Sequence, residues 1–416
     1  MKSSVFFVQI ISILGFVAAA PTPVVVPRGG VWADESIQAA AYLMTNEPSG
    51  NNIIVASLAS NGQVTFKSAV STRGRGAHVT GNNGPDPLMS QGSIETSATG
   101  QLLAAVNAGS STVSLFSINP QDPTMISQIG EPVSSEGEFP VSLAINKKGD
   151  AVCVLNAGQV NGVNCFAVDK SLGLVRMNNT LRSLNLVADS GPSASAAHHV
   201  AFNDANDQLI ATVVGTPGYL AIWDIQQDGS LSPNFTTVNP PSGGGGPFSL
   251  TAVPGTNAMV SADTVIGADV WDLDGVTSAT TANQTAPGRS ASVAISGQMV
   301  TCWSTFSNKT GNFYFVDAGA ATVTEVNLSQ NLTATVVNQY PQVAGSATLD
   351  VSIAAVGGNE FMYVIAGNTT SVDVLDLRAP GNATNVGSFN FGPIATSSGI
   401  TVNAANVQGM ATFVKA

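Results

Sequence analysis

The stretch Leu102-Leu-Ala-Ala-Val-Asn-Ala-Gly-Ser-Ser-Thr-Val-Ser-Leu-Phe-Ser-Ile118 holds two short apolar runs separated by a Gly/Ser turn. In the second run Val113 and Leu115 flank Ser114, which is the period of two that a strand with one buried face shows. The stretch therefore predicts a β-hairpin.

The same pattern returns along the chain. Together with the first stretch it makes seven copies, at 41–58, 102–118, 151–168, 209–225, 258–273, 312–328 and 361–377. A further strand-like run precedes most copies, and another follows, so each unit has four short strands. Repetition of such a unit is typical of a propeller. The sequence predicts an all-β fold, a seven-bladed β-propeller of four-stranded antiparallel blades.

Two other architectures fit the sequence less well. The 42 glycines and 21 prolines interrupt the chain too often for long helices. A parallel β-helix is the stronger alternative, but its rungs are usually much shorter than about 50 residues. Little chain precedes the first copy, so we expect a run within 394–414 to complete the first blade and close the ring.

The composition restricts the partners. Charged residues make up 10 % of the chain, against roughly 25 % in an average globular protein. The 14 Lys and Arg against 26 Asp and Glu give a net charge of −12. This balance argues against binding to nucleic acid or to anionic membrane surfaces.

The N-terminal segment predicts export. Lys2 precedes an apolar run that ends in the small residues Val17-Ala18-Ala19, and Pro21 follows. We interpret residues 1–19 as a secretory signal peptide and 20–416 as a single propeller domain. A membrane anchor is the alternative, although the run is shorter than the roughly 20 residues that a spanning helix needs.

Glycosylation sequons agree with an extracellular location, in the medium or at the cell wall. We expect glycans on the asparagines of eight N-x-S/T motifs, Asn178, Asn234, Asn283, Asn308, Asn327, Asn331, Asn368 and Asn382.

The chain has three cysteines. In the hairpin register of the third copy, Asn156 lies opposite Gly162, which places Cys153 opposite Cys165 at a separation near the upper end of disulfide reach. The two alternatives for this pair are a disulfide, formed in an oxidising compartment, and two small buried thiols. Cys302 is left over, and no ligand spacing for a metal is present.

Basic residues concentrate in one segment. Arg73-Gly-Arg75-Gly-Ala-His78 places two guanidinium groups and an imidazole within six residues, in a long connection between units that can cover the central opening. Two arginines in a glycine-rich loop can grip a carboxylate, and a histidine beside them can transfer a proton. A solvated loop that offsets local acidity is the alternative.

His198 and His199 open the fourth unit, in the strand expected nearest the ring axis. Successive residues of a strand face opposite ways, so one imidazole can face the channel and the other the blade packing. Both can also be structural, hydrogen-bonded histidines. Arg289, Glu95 and Asp263 are further candidates for a central site.

Several motifs carry a resemblance to a known family. Asp86-Pro-Leu-Met-Ser-Gln-Gly92, Leu103-Ala-Ala-Val-Asn-Ala-Gly109, Pro140-Val-Ser-Leu-Ala144 and Val154-Leu-Asn-Ala-Gly158 resemble lactonase-type seven-bladed propellers, which in fungi are often labelled 3-carboxymuconate cyclase-like. The family includes 6-phosphogluconolactonase-like and carboxymuconate-lactonising enzymes, and also secreted cell-wall glycoproteins. The resemblance implies a cofactor-free site at the ring centre. Some propellers hold a metal in the channel, but no acidic cluster in this sequence requires one, and we expect none.

The resemblance also implies roles for the basic residues. Arg73, Arg75 and Arg289 would clamp the carboxylates of the substrate, with His198 as a further binding residue. His199 or His78 would act as the acid, assisted by Arg75.

Two functions remain open. One is an extracellular lactonase or cycloisomerase for a small carboxylated molecule, and the other is a non-catalytic secreted propeller that binds a cell-wall component. We expect a monomer in either case.

Overall fold

The computed structural model describes residue 34 and residues 36–187, 196–215, 217–278, 284–285 and 288–415, with 284–285 given as backbone only. The unit Trp32–Ala416 is compact. It contains seven antiparallel sheets arranged around a central axis, which is the predicted seven-bladed β-propeller. The predicted signal peptide and Asn283 lie outside the described residues.

The strands of each blade follow one another along the chain, except in the first blade and in the fifth, which a strand of the blade 4 sheet interrupts. Blade 1 begins with β1 (Ala39–Met44), β2 (Asn52–Leu58) and β3 (Val64–Ser71). Blade 2 contains β4 (Ile94–Ser97), β5 (Leu102–Asn107), β6 (Thr112–Ile118), β7 (Ile126–Gln128) and β8 (Val133–Ser134). Blade 3 contains β9 (Pro140–Ile145), β10 (Ala151–Asn156), β11 (Gly162–Asp169), β12 (Gly173–Arg176) and β13 (Arg182–Ser183).

One strand that lies within the sequence of blade 5 pairs with the outer strand of blade 4. Blade 4 contains β14 (Ala196–Phe202), β15 (Gln208–Val214), β16 (Tyr219–Asp224) and β17 (Thr236–Asn239). Blade 5 contains β18 (Thr251–Ala252), β19 (Ala258–Asp263), β20 (Gly267–Asp272) and β22 (Ala291–Ala294), and β21 (Gln284–Thr285) lies between the last two in the chain. The short β21 precedes the outer strand of blade 5 but pairs in parallel with β17 of blade 4, so it covers the outer edge of that blade.

Blades 6 and 7 have long outer strands, of eight and nine residues. They consist of β23 (Thr301–Phe306), β24 (Asn312–Asp317), β25 (Thr322–Leu328) and β26 (Ala334–Pro341); and β27 (Thr348–Val356), β28 (Asn359–Ala366), β29 (Ser371–Ala379) and β30 (Asn382–Asn390). The helix α1 (Gly392–Ser397) follows, and β31 (Met410–Val414) ends the series. None of the helices in the described part of the chain has the length and hydropathy needed to cross a membrane.

The last strand closes the ring. β31 pairs antiparallel with β1 along its whole length, from Ala39 opposite Val414 to Leu43 opposite Met410. It thereby becomes the innermost strand of blade 1, as the shortage of chain before the first copy predicts. Closure in this way removes two exposed sheet edges.

The repeated pattern corresponds to the two middle strands of each blade. In the first copy Ala104 lies opposite Leu115, and Asn107 lies opposite Thr112. Apolar side chains cover both faces of these strands, since each blade packs between two others. The largest buried side chains include Trp223, Trp271 and Trp303.

The third copy carries the paired cysteines. Cys153 lies opposite Cys165, and a disulfide joins them with their Cα atoms 4.0 Å apart. Cys302 is a buried free thiol.

Candidate functional site

A cavity of about 390 Å³ lies on the ring axis. The innermost strands of all seven blades line it, namely β4, β9, β14, β18, β23, β27 and β31. It is therefore the central channel of the propeller.

One end of the channel is closed by the connection between β3 and β4. Leu88 and Ser90 of this connection are buried. The Ser90 hydroxyl donates to the carbonyl of Val141 at 2.8 Å, and the Trp303 indole donates to the carbonyl of Ser90 at 3.1 Å. These contacts pin residues 86–91, which we call the capping segment, across the start of the innermost strands.

The connection into β31 supports the capping segment. The side-chain oxygen of Gln408 accepts a hydrogen bond from the backbone amide of Leu88 at 2.7 Å. Its side-chain nitrogen donates hydrogen bonds to the Asp86 carboxyl and to the backbone carbonyl of Ser90, each at 2.7 Å. Gln408 is completely buried. The two connections thus form one packed layer over this end of the channel.

The opposite end of the channel is lined by one exposed and two half-buried residues. Lys147, Asp204 and Asn206 line the cavity there, on the turns that follow β9 and β14. Lys147 Nζ lies 2.7 Å from Asp204 Oδ1, and the Lys147 amide donates to Asn206 at 2.6 Å. Lys147 is the only Lys or Arg among the described residues that line the cavity. We call this end the mouth.

Glu95 supplies an acidic group to the interior. It is the second residue of β4 and lines the cavity. Burial raises the pKa of its carboxyl to about 8, and the nearby Asp350 adds to the rise. Burial also raises the pKa of Asp350 to about 7, against the effect of the Gly409 amide that donates to it at 3.0 Å. Glu95 can therefore hold or release a proton near neutral pH.

His199 supplies a neutral hydrogen-bond donor. Its Nδ1 accepts a hydrogen bond from the Leu250 amide at 2.8 Å, so the proton of the neutral ring is on Nε2. Burial lowers the pKa of His199 to about 3. Gly92 packs against this ring with φ +77°, and a Cβ there would come within 3.0 Å of Nε2. His199 is one of the residues that line the cavity, and its imidazole is uncharged at neutral pH.

His198 faces away from the cavity. Its Nδ1 contacts the carbonyl of Met89, and its ring stacks on Phe248 with the centroids 4.7 Å apart. Burial lowers the pKa of His198 to about 4. It holds the capping segment, and the structure gives it no contact with the cavity that would bind a substrate.

Arg73 and Arg75 lie outside the cavity. Arg73 is exposed and forms an ion pair with Glu131 at 2.6 Å. Arg75 is exposed over the turn between β5 and β6, where the Gly109 amide donates to its carbonyl at 2.9 Å. Gly76 explains the course of this loop, because a Cβ there would lie 1.8 Å from the carbonyl of Asn46. The backbone is thus held on the hairpin turns, and the guanidinium groups do not reach the axis.

The other predicted residues are also outside the cavity. His78 bonds to the Asn82 carbonyl at 3.2 Å and to the side chain of Asn406. Arg289 pairs with Asp272 at 3.0 Å beside the outer strand of blade 5. Asp263 accepts four backbone amides, from Gly245, Gly246, Val265 and Ile266. The structure therefore brings only Glu95 and His199 of the sequence candidates to the centre.

Sequence reasoning missed Asp86 and Asp350. Asp350 is buried and Asp86 is half-buried, and Asp350 acts on both Asp86 and Glu95. Desolvation together with Asp350 raises the pKa of Asp86 well above its usual value. The available signal was a carboxyl group beside the apolar start of an innermost strand, as in Leu349-Asp350-Val351. Within the described residues, no group of three or more His, Cys, Asp or Glu is arranged to hold a metal ion.

Comparison with known proteins agrees with this architecture. Residues 18–187 match the family model for "Lactonase, 7-bladed beta-propeller". The matched range includes the first three blades except for β31, and it supports a lactonase-type propeller. No curated protein sequence matches the chain.

Solved structures resemble the whole propeller. A Bacteroides fragilis protein with the provisional name 6-phosphogluconolactonase has a TM-score of 0.63 and 14 % identity, covering 90 % of this chain and 98 % of its own. The periplasmic gluconolactonase of Pseudomonas aeruginosa has a TM-score of 0.62 and 15 % identity, covering 85 % and 96 %. At such low identity the likeness shows the fold.

Proposed function

We propose that the protein hydrolyses the lactone ring of a small, uncharged, hydroxylated molecule in its central cavity. The observation that carries this proposal is the Glu95 carboxyl, which lines the channel with a pKa near neutrality. The family match of residues 18–187 supports a lactonase-like role.

The two interior residues have complementary roles in this reaction. The Glu95 carboxylate takes a proton from water as the water oxygen attacks the lactone carbonyl. The neutral His199 Nε2–H donates a hydrogen bond to the oxyanion that forms. The ring C–O bond then breaks, and Glu95 returns the proton to the leaving oxygen. One water is consumed, and a hydroxy acid is formed.

The charges inside the cavity favour an uncharged substrate. Arg73, Arg75 and Arg289 lie elsewhere, and Lys147 at the mouth is the only Lys or Arg among the described residues of the lining, so several carboxylates would not be balanced. Glu95 and the nearby Asp350 would repel them when ionised. This supports lactone hydrolysis over the cycloisomerisation of a carboxylated compound. Lys147 at the mouth would attract the single carboxylate of the product.

We propose that the protein acts outside the cell as a secreted glycoprotein. The N-terminal apolar run supports export, and so does the disulfide between Cys153 and Cys165. The seven sequon asparagines within the described residues are all exposed, as glycan attachment requires.

The test is a turnover screen of uncharged and carboxylated lactones with wild-type protein, Glu95→Gln and Arg75→Ala. We expect hydrolysis of an uncharged lactone, a loss of about 100-fold or more in Glu95→Gln, and equal rates in Arg75→Ala. Equal rates in Glu95→Gln would refute the proposed site. Ligand binding measured by calorimetry without any turnover would instead favour the non-catalytic platform.

A further inference from the structure

The outermost strands of the blades differ in how their exposed edges are protected. An unpaired strand edge is a template for pairing with another chain, and proteins protect such edges with charges, short strands or a covering segment. In this propeller β3 carries Lys67, β12 carries Arg176, β7 and β22 have three and four residues, and β17 is covered by β21.

The outer strands of blades 6 and 7 lack these devices. β26 has eight residues, β30 has nine, and neither contains a charged residue. Most of their side chains are exposed, including Val336, Val337 and Val386 at 37 to 45 %. Each strand has one bulge, at Val337 and Val386. In the described part of the chain, no backbone hydrogen bond joins the outer edge of either strand to another segment.

Two sequons stand where these edges begin. Asn331 lies in the tight turn before β26, and Asn382 is the first residue of β30. Both side chains are exposed. A glycan on either residue is bulky and hydrated, and it would extend from the start of the strand over the adjoining edge.

We infer that N-glycans on Asn331 and Asn382 shield the outer edges of β26 and β30 and keep copies of the protein from pairing through them. The glycan takes the place of the lysine or the covering strand that the other blades use. This inference rests on the export proposed above and is independent of any catalytic activity.

The experiment compares secreted protein from a glycosylating host with two sets of variants. Glycopeptide mapping gives the occupancy of each sequon, thermal unfolding gives the stability, and light scattering gives the aggregation rate. The test variant is Asn331→Gln with Asn382→Gln. The control is Asn178→Gln, whose sequon follows the short, charged strand β12.

We expect both sequons to be occupied and the double variant to aggregate severalfold faster than wild type at an unchanged melting temperature, with Asn178→Gln behaving as wild type. Adding Val337→Lys and Val386→Lys to the double variant should restore the wild-type rate, since a charge then replaces the glycan at each edge. An empty sequon at either position, equal aggregation of the double variant and the control, or no rescue by lysine would overturn the inference.

Discussion

At the scale of single residues, the Glu95 carboxyl determines the expected pH dependence. With its pKa raised to about 8 by burial, the group is protonated and inactive as a base below that value, and it is ionised above it. We therefore expect kcat/KM, corrected for spontaneous hydrolysis, to rise with pH through about 8.

The neighbouring carboxyl gives a control for this profile. Asp350 raises the pKa of Glu95 by its charge. Asp350→Asn should therefore shift the rising limb to lower pH, while Glu95→Gln should abolish it. A limb that stays in place in both variants would contradict the role of Glu95.

We expect the His199 imidazole to cause no inflection in the pH dependence of kcat/KM. Its pKa is lowered to about 3, so the ring stays neutral wherever the protein is assayed. We expect His199→Ala to reduce kcat by about 10²-fold or more with little change in KM, because the lost hydrogen bond forms in the transition state. His198→Gln, which changes a residue outside the cavity, is the comparison. An inflection near pH 6 that disappears in His199→Ala would show a charged ring instead.

The residue scale also shows where sequence reasoning succeeds and fails. The strand position of His198 and His199 and the alternation of side chains suggest that one of them faces the axis, but not which one; His199 is the one that lines the cavity. The raised pKa of Glu95 depends on its burial in the folded ring and on Asp350, which is far away in the chain, so no local sequence pattern predicts it. The density of basic residues predicts a site around Arg73 and Arg75, but the close contacts of Gly76 hold their loop on the hairpin turns, away from the axis.

At the scale of elements, the disulfide joins β10 and β11 across a sequence separation of 12. Cross-linking limits the unfolded chain, and loops of this size contribute about 2–3 kcal/mol. Replacing Cys153 and Cys165 together by Ala should lower the free energy of unfolding by about that amount in urea titrations. A reducing agent should produce a similar loss in wild type and none in the variant. Equal stability of both proteins would show that the bond does not contribute.

The pairing of β31 with β1 is the second prediction at this scale. Deleting 399–416 exposes the inner edge of β1 and removes Gln408 from the capping segment. We expect a sharply lower melting temperature, partly restored when a peptide of residues 399–416 is added in trans. An unchanged melting temperature would contradict closure by this strand.

The sequence predicts individual strands and their pairing better than it predicts the site. The hairpin period and the Gly/Ser turns identify β5 and β6, and the same register places Cys153 opposite Cys165. The outer strands vary from three residues in β7 to nine in β30, so no shared pattern predicts their bounds.

At the scale of the whole molecule, buried carboxyls reverse the usual pH dependence of stability. Burial raises the pKa values of Asp86, Glu95, Asp269 and Asp350. Between the unfolded and folded pKa values the native state binds more protons than the unfolded state, so stability falls as pH rises. The lowered pKa values of His198 and His199 act oppositely, but they are only two groups and their effect ends near pH 6.5.

We therefore expect the melting temperature to fall as the pH is raised from about 5 to about 9. Glu95→Gln removes one of the groups and should reduce this slope, whereas Arg75→Ala at the surface should leave it as in wild type. A melting temperature that rises over the same interval would mean that these carboxyls are ionised in the folded protein.

The ring closure of β31 onto β1 has a consequence for biosynthesis. A ribosome makes Ala39 long before Val414, yet these residues are neighbours in one sheet. The nascent polypeptide must therefore keep β1, β2 and β3 without their inner partner until β31 has been made. Blade 1 is assembled last although it is synthesised first, and chaperones have their longest opportunity to bind there.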